Sequence, residues 1–250
     1  MLTARIETLG LGKGDRLLDI GCGEGRHCHG VQLFGFALVR QSLGVDLRHE
    51  AQAIGVDLDE ASLALARERG AQLEGRGPPA QFLAADASAL PFEDRSFDAA
   101  ICSEVLEHVP DMAALLAEAA RVLKPGAIYA VTVPRAWPER ICWKLASGPG
   151  GYSDQPGGHI RIVDPAALRR MVEQAGFAFL SSHHAHALHT PYWWLKTAFW
   201  SRRDDHPLVR AWHRLLVWDM MKAPWLTRGL ERLLDPVMGK SIAMYFRRTA

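Results

Sequence analysis

Apolar residues fall into short unbroken runs separated by longer mixed stretches, a rhythm that predicts strands alternating with helices. Residues 17–20, 53–58, 81–87, 97–102 and 127–133 read as five strands. Between them, Asp59-Glu60-Ala61-Ser62 opens a helical run through 63–69, Asp111 caps a helix reaching Leu123, and Lys124-Pro125-Gly126 reads as the turn into the fifth strand. Further on, Asp164-Pro165 starts another helix. Strand-helix alternation of this kind implies an α/β fold with a mostly parallel sheet.

The first strand ends in Asp19-Ile20-Gly21-Cys22-Gly23-Glu24-Gly25. Glycines at 21, 23 and 25 let the backbone turn sharply and let a ligand approach main-chain atoms. Asp19 and Glu24 sharpen the reading, because carboxylates beside the loop repel a pyrophosphate and attract a cation. S-adenosylmethionine (SAM) has no phosphates and carries an α-ammonium and a sulfonium, so these charges favour it over a nicotinamide dinucleotide. Asp57, at the end of the second strand with Leu58 after it, suits two ribose hydroxyls. Asp86, followed by Ala87, suits the adenine amino group.

In D-x-G-C-G-x-G at 19–25, A-D-A at 85–87, E-V-L-E-H at 104–108 and L-K-P-G at 123–126, the chain resembles the class I SAM-dependent methyltransferases, specifically the bacterial methyltransferase type 11-like family. The four motifs stand in the family's order. The resemblance implies a doubly wound, mostly parallel seven-stranded, Rossmann-like sheet with the cofactor across the carboxyl ends of its strands, and SAM as cofactor. It also implies that Asp19, Gly21, Gly23 and Gly25 surround the methionine part, Asp57 the ribose and Asp86 the adenine, with Ser103 and Glu104 near the methyl group.

Residues 41–51 are echoed by 52–62, so that Gln-Ser-Leu-Gly-Val-Asp is followed by Gln-Ala-Ile-Gly-Val-Asp. Asp46 and Asp57 thus compete for one role. The second copy runs directly into a helix, which favours Asp57.

With 250 residues, 48% hydrophobic and 23% charged, the chain can bury a full core. Residues 1–180 read as the SAM-binding core, and 181–250 as a last strand region with an aromatic, basic and mostly helical cap. The four cysteines have no disulfide or metal spacing, residues 1–13 carry no apolar leader run, and no apolar stretch approaches a membrane span. The expected location is therefore cytoplasmic. The net charge of +1 hides an asymmetry: residues 181–250 hold eleven Lys and Arg against five Asp and Glu, and six of the eight tryptophans. Such a tail suits a lid over an apolar pocket, a surface resting reversibly on the inner face of a membrane, or packing alone. Pro191 and Pro224 are read as breaks within it. Nucleic acid is not an expected partner, because the basic residues are scattered without a stacking motif.

The glycine-rich stretch 148–158 precedes His159 and Arg161, a candidate base and a candidate clamp for the acceptor. His108 is a second candidate base. His183, His184, His186 and His189 crowd one segment, where His184 and His186 are expected to share a strand face. No Cys or Glu nearby in sequence completes a zinc pattern, so no metal is assigned. The expected activity is methyl transfer from SAM to a small or amphipathic, lipid-like acceptor. Two other classes stand beside it, a nicotinamide-dependent oxidoreductase and a noncatalytic partner protein on the same scaffold. The first lacks a phosphate-friendly loop, and the second conflicts with the retained Asp19, glycines and Asp86. The acceptor and the oligomeric state are not legible.

Overall fold

The computed structural model describes residues 2–41, 51–155 and 158–250. Asp46 and the rest of the first repeat copy from 42 to 50 lie outside them. Seven strands form one sheet in the order β3-β2-β1-β4-β5-β7-β6. They are β1 (Arg16–Ile20), β2 (Gln52–Asp57), β3 (Gln81–Ala84), β4 (Phe97–Ser103), β5 (Leu123–Pro134), β6 (Phe177–Ala185) and β7 (Ser241–Arg248). The first five are parallel, and β7 runs antiparallel between β5 and β6.

Central strands covered on both faces require continuous apolar runs, which is why Leu17, Leu18 and Ile20 of β1 and Ala99 to Cys102 of β4 are fully buried. β3 lies at the sheet edge and is mostly exposed. It stops at Ala84, two residues before Asp86, so Asp86 sits in the following turn, where its carboxylate accepts from the Ser88 amide at 2.8 Å.

Helices α1 (Arg26–Gln41), α2 (Glu60–Ala71), α3 (Met112–Val122), α4 (Ala136–Leu145) and α5 (Pro165–Gln174) join the strands. Asp59, Asp111 and Asp164 each cap a helix by accepting amides of its first turn. The turn read at Lys124-Pro125-Gly126 is instead an exposed bulge within β5, with Gly126 at φ +86°, because Leu123 before it and Ile128 after it both pair with β4.

Between β6 and β7 the chain leaves the sheet as α6 (His189–Ala198), α7 (Pro207–Lys222) and α8 (Trp225–Met238). Pro191 does not break this segment: it lies in the first turn of α6, where its missing N–H has no partner to lose. Pro224 does separate α7 from α8. The division read at 180/181 falls inside β6, and β7 returns the chain to the middle of the antiparallel edge.

Candidate functional site

The carboxyl ends of β1, β2 and β4 converge on the glycine loop. Gly21, Gly23 and Gly25 all have positive φ, of 69°, 51° and 77°. At Gly21 a Cβ atom would come within 2.3 Å of Val105, so a glycine is required by space as well as by conformation. The amides of Gly21 and Cys22 both donate to the Val56 carbonyl, at 2.8 and 2.9 Å, and the Gly23 amide donates to Asp57 Oδ2 at 2.8 Å. Asp57 Oδ1 accepts from the Asp59 amide at 3.0 Å. Asp57 thus ties the loop to the start of α2, and its oxygens keep further lone pairs. Leu58 beside it is 74% exposed.

Asp19 is 1% exposed beneath the loop. Its Oδ2 accepts from Cys28 Sγ at 3.5 Å, and among the described residues its Oδ1 has no partner. Burial pushes its pKa up to about 7. An acid held in this state gains from an incoming cation, which fits an ammonium group and not a phosphate. Glu24 is different: its carboxylate pairs with Arg69 at the surface and adds little free charge to the loop.

A relay of hydrogen bonds crosses the end of β4. Arg26 donates to Ser103 Oγ at 3.4 Å, Ser103 Oγ lies 2.9 Å from Thr132 Oγ1, and Thr132 donates to Glu104 Oε1 at 2.9 Å. Glu104 has φ of +58°, a left-handed conformation in which its backbone N–H donates to the Thr132 carbonyl at 2.9 Å.

Glu104 also lines a cavity of about 190 Å³ between the sheet ends and the helices beyond β6, together with Arg26, Tyr152, His159, Trp193 and Lys240. His159 Nδ1 lies 2.6 Å from Glu139 Oε1, and Lys240 Nζ lies 2.9 Å from Glu139 Oε2. Burial works against the Glu139 charge, but the His159 hydrogen bond and the Lys240 ammonium outweigh it and hold the pKa at about 2. His159 Nε2 is 3.9 Å from Glu107. Glu107 is 1% exposed, both of its oxygens lack partners among the described residues, and burial beside Glu104 pushes its pKa up to about 9.

His108 packs edge-on against His159, with ring centroids 4.9 Å apart, and donates from Nδ1 to the Gly158 carbonyl at 3.1 Å. Burial and the neighbouring His159 lower its pKa. The structure therefore gathers Asp19, the glycines and Asp57 at one end of the site, and Ser103, Glu104, His108 and His159 at the other. Asp86 and Ala87 follow β3, whose end is held to β2 by the Ala85 amide donating to the Asp57 carbonyl at 3.0 Å. Arg161 is not among the residues lining the cavity; it donates to the Pro110 carbonyl at 2.9 Å and braces the turn after His108.

Sequence reasoning missed Glu107, Glu139 and Lys240. Glu139 and Lys240 lie 101 residues apart, so no local pattern joins them. The tryptophans divide. Trp194, Trp200 and Trp212 donate their indole N–H groups to backbone carbonyls, Trp193 lines the cavity, and Trp218 and Trp225 are exposed.

Residues 18–131 match the family model described as "Methyltransferase domain". A ubiquinone biosynthesis O-methyltransferase of Bordetella pertussis is 36% identical over 177 residues, covering 68% of this chain and 65% of that protein. One from Hahella chejuensis is 37% identical over 118 residues, 46% of this chain and 41% of that protein. The chain thus spans between two fifths and two thirds of the length of these relatives. In overall fold it is similar to a SAM-dependent methyltransferase from Methanosarcina mazei, with a TM-score of 0.61, 17% identity and 99% of both chains covered. Sheet order, glycine loop and family match agree: residues 18–131 form a methyltransferase domain of the class I, SAM-dependent kind.

Proposed function

We propose that this protein transfers a methyl group from SAM to a hydroxyl of a small amphipathic acceptor drawn from a lipid surface. The observation that carries it is the cavity walled by Glu104 on the sheet side, by Trp193 on the cap side, and by the His159–Glu139 pair. The relatives' names specify transfer to oxygen in ubiquinone biosynthesis, which supports a hydroxyl-bearing acceptor of partly apolar character.

In this reading Asp19 holds the cofactor's ammonium, Gly21, Gly23 and Gly25 give room for its methionine part, and Asp57 with Leu58 meets the ribose. Asp86 and Ala87 meet the adenine, and Ser103 and Glu104 border the reacting end. SAM when bound supplies an electrophilic methyl on sulfur. What remains for the chain is to hold the acceptor oxygen in line with it, to exclude water and to take the hydroxyl proton. His159 suits the proton transfer, because with Nδ1–H directed at Glu139 its Nε2 lone pair is free to accept. His108 is the alternative base, with Nδ1 fixed on Gly158. Arg161 serves as a brace for the loop rather than as a clamp.

The cap supports delivery from a membrane. On α8, Leu226, Leu230, Leu233 and Val237 recur at helical spacing on the exposed side, and Trp218 and Met221 of α7 and Trp225 at the start of α8 are exposed as well. Lys222, Arg228 and Arg232 flank them, the composition of a helix that lies in a headgroup layer. Among the described residues, no helix is long and apolar enough to cross a membrane.

Methyl-labelled SAM fed to extracts with and without the enzyme tests the reaction. A labelled amphipathic ether supports it, and label found only on fully polar products or on nitrogen overturns the acceptor class. Co-sedimentation with anionic vesicles tests the surface: binding at low salt that weakens at high salt is expected, and no binding at low salt removes the membrane role.

A further inference from the structure

The cap is joined to the sheet through a group of half-buried and buried donors, two of which, His186 and His189, stand in the wall of the cavity that also holds Glu104, His159 and Trp193. His186 follows β6 at φ +68°, so the strand ends before it and it shares no strand face with His184. His189 is the first residue of α6, and Glu231 lies within α8. The fold brings them together, and one ligand atom from each lies within 4.8 Å of the other two.

The carboxylates here lack the partners that burial demands. Glu231 is 7% exposed and its Oε1 has no hydrogen bond among the described residues; Arg228 lies 3.8 Å from its Oε2. Asp219 of α7, which is 1% exposed, likewise has no partner on either oxygen, and His189 Nδ1 has none either. Asp219 lies close enough to act electrostatically on both His189 and Glu231. Carboxylates shut away from water with their oxygens incompletely paired are costly, and a bound cation removes that cost. His186 is oriented by the Thr3 hydroxyl, 3.1 Å from its Nε2, the kind of outer support that metal-binding histidines have.

We infer that His186, His189 and Glu231 bind one zinc ion, with Asp219 as the buried charge behind them. Two imidazoles and a carboxylate are a donor set that suits zinc better than calcium or magnesium, which prefer oxygen alone. Such an ion ties the end of β6 to α6 and α8, and so fixes the cap over the sheet.

The test is zinc content of the full chain, stripped with a chelator and dialysed against micromolar free Zn²⁺. Glu107, His108 and His159 form a second group of donors within 4.8 Å of one another, so His159→Gln serves as the control. One zinc per chain is expected in the wild type and in His159→Gln. Glu231→Gln should bind zinc roughly a hundredfold or more weaker, since even outer-shell changes cost tenfold or more. Zinc should raise the melting temperature of the wild type and not of Glu231→Gln. X-ray absorption of the zinc-loaded wild type needs no variant, and should show two imidazoles in a nitrogen and oxygen shell. No zinc in the wild type, zinc lost only in His159→Gln, or a shell without two imidazoles overturns the proposal.

Discussion

In the β1–α1 loop Asp19 is 1% exposed beneath left-handed glycines, whereas on α7 and α8 Met221, Trp225 and Leu233 stand 76%, 84% and 72% exposed. One region hides a charge from water and the other presents apolar surface to it. Each inverts the usual arrangement of a folded chain, in which charges face solvent and large apolar groups do not. Under the proposed function the two inversions call for different ligands, a cation for the loop and an apolar partner for the helices. Between them lies the cavity with His159, lined by Arg26 just after the glycine loop and by Trp193 of α6.

The sharpest way to break this contrast is at Asp19. Asp19→Asn should weaken SAM binding by roughly two orders of magnitude, because a buried charge opposite an ammonium is lost. It should also stabilise the ligand-free protein at pH 8, by on the order of 2–4 kcal/mol. The sign follows from a pKa raised in the folded state from 3.8 to about 7. The folded form holds its proton while the unfolded form loses it, so wild-type stability falls as pH rises from about 4 to about 7 and is level above that. The gain should therefore vanish near pH 4. Melting curves against pH check it, and a variant less stable at pH 8 would contradict it.

The next effect is on chemistry. His159→Gln should lower turnover about a hundredfold with SAM affinity unchanged. Should His108→Gln give that loss instead, the base lies one ring away, and full turnover in both would exclude a base at either position.

Asp57→Ala should cost about 1–3 kcal/mol of SAM affinity, from unpaired ribose hydroxyls and a loosened Gly23 amide. Titration calorimetry measures it, and an unchanged affinity would move the ribose contact to another residue.

Smallest is the change expected at the cap. Leu226→Ser with Leu233→Ser should leave the melting temperature and SAM affinity near the wild-type values, since both side chains are exposed. Vesicle binding should fall all the same. A large loss of stability would mean that this face packs against something in the folded protein.

The same two regions differ in how far they could be read from the sequence. In the loop, function and neighbours are local: Asp19 precedes its glycines, Asp57 ends the next strand, and helix caps at Asp59, Asp111 and Asp164 follow from short-range hydrogen bonding. Even there, Glu24 read as a free charge, because its partner Arg69 is 45 residues away. In the cap the deciding contacts are all long-range. Nothing near Glu139 in sequence announces Lys240, nothing near His189 announces Glu231, and Pro191 reads as a breaker until the helix is seen to start just before it. The bulge at Lys124–Gly126 escaped for a related reason, since pairing with β4 continues on both sides of residues that read as a turn.

Cofactor binding probes the buried acid most directly. Isothermal titration of the wild type should give one SAM per chain, no heat with NADH, and SAM binding nearly abolished in Asp19→Ala. Tight NADH binding with none for SAM, or full SAM affinity in Asp19→Ala, would contradict the claim that the buried acid beneath the glycine loop is built for a cation.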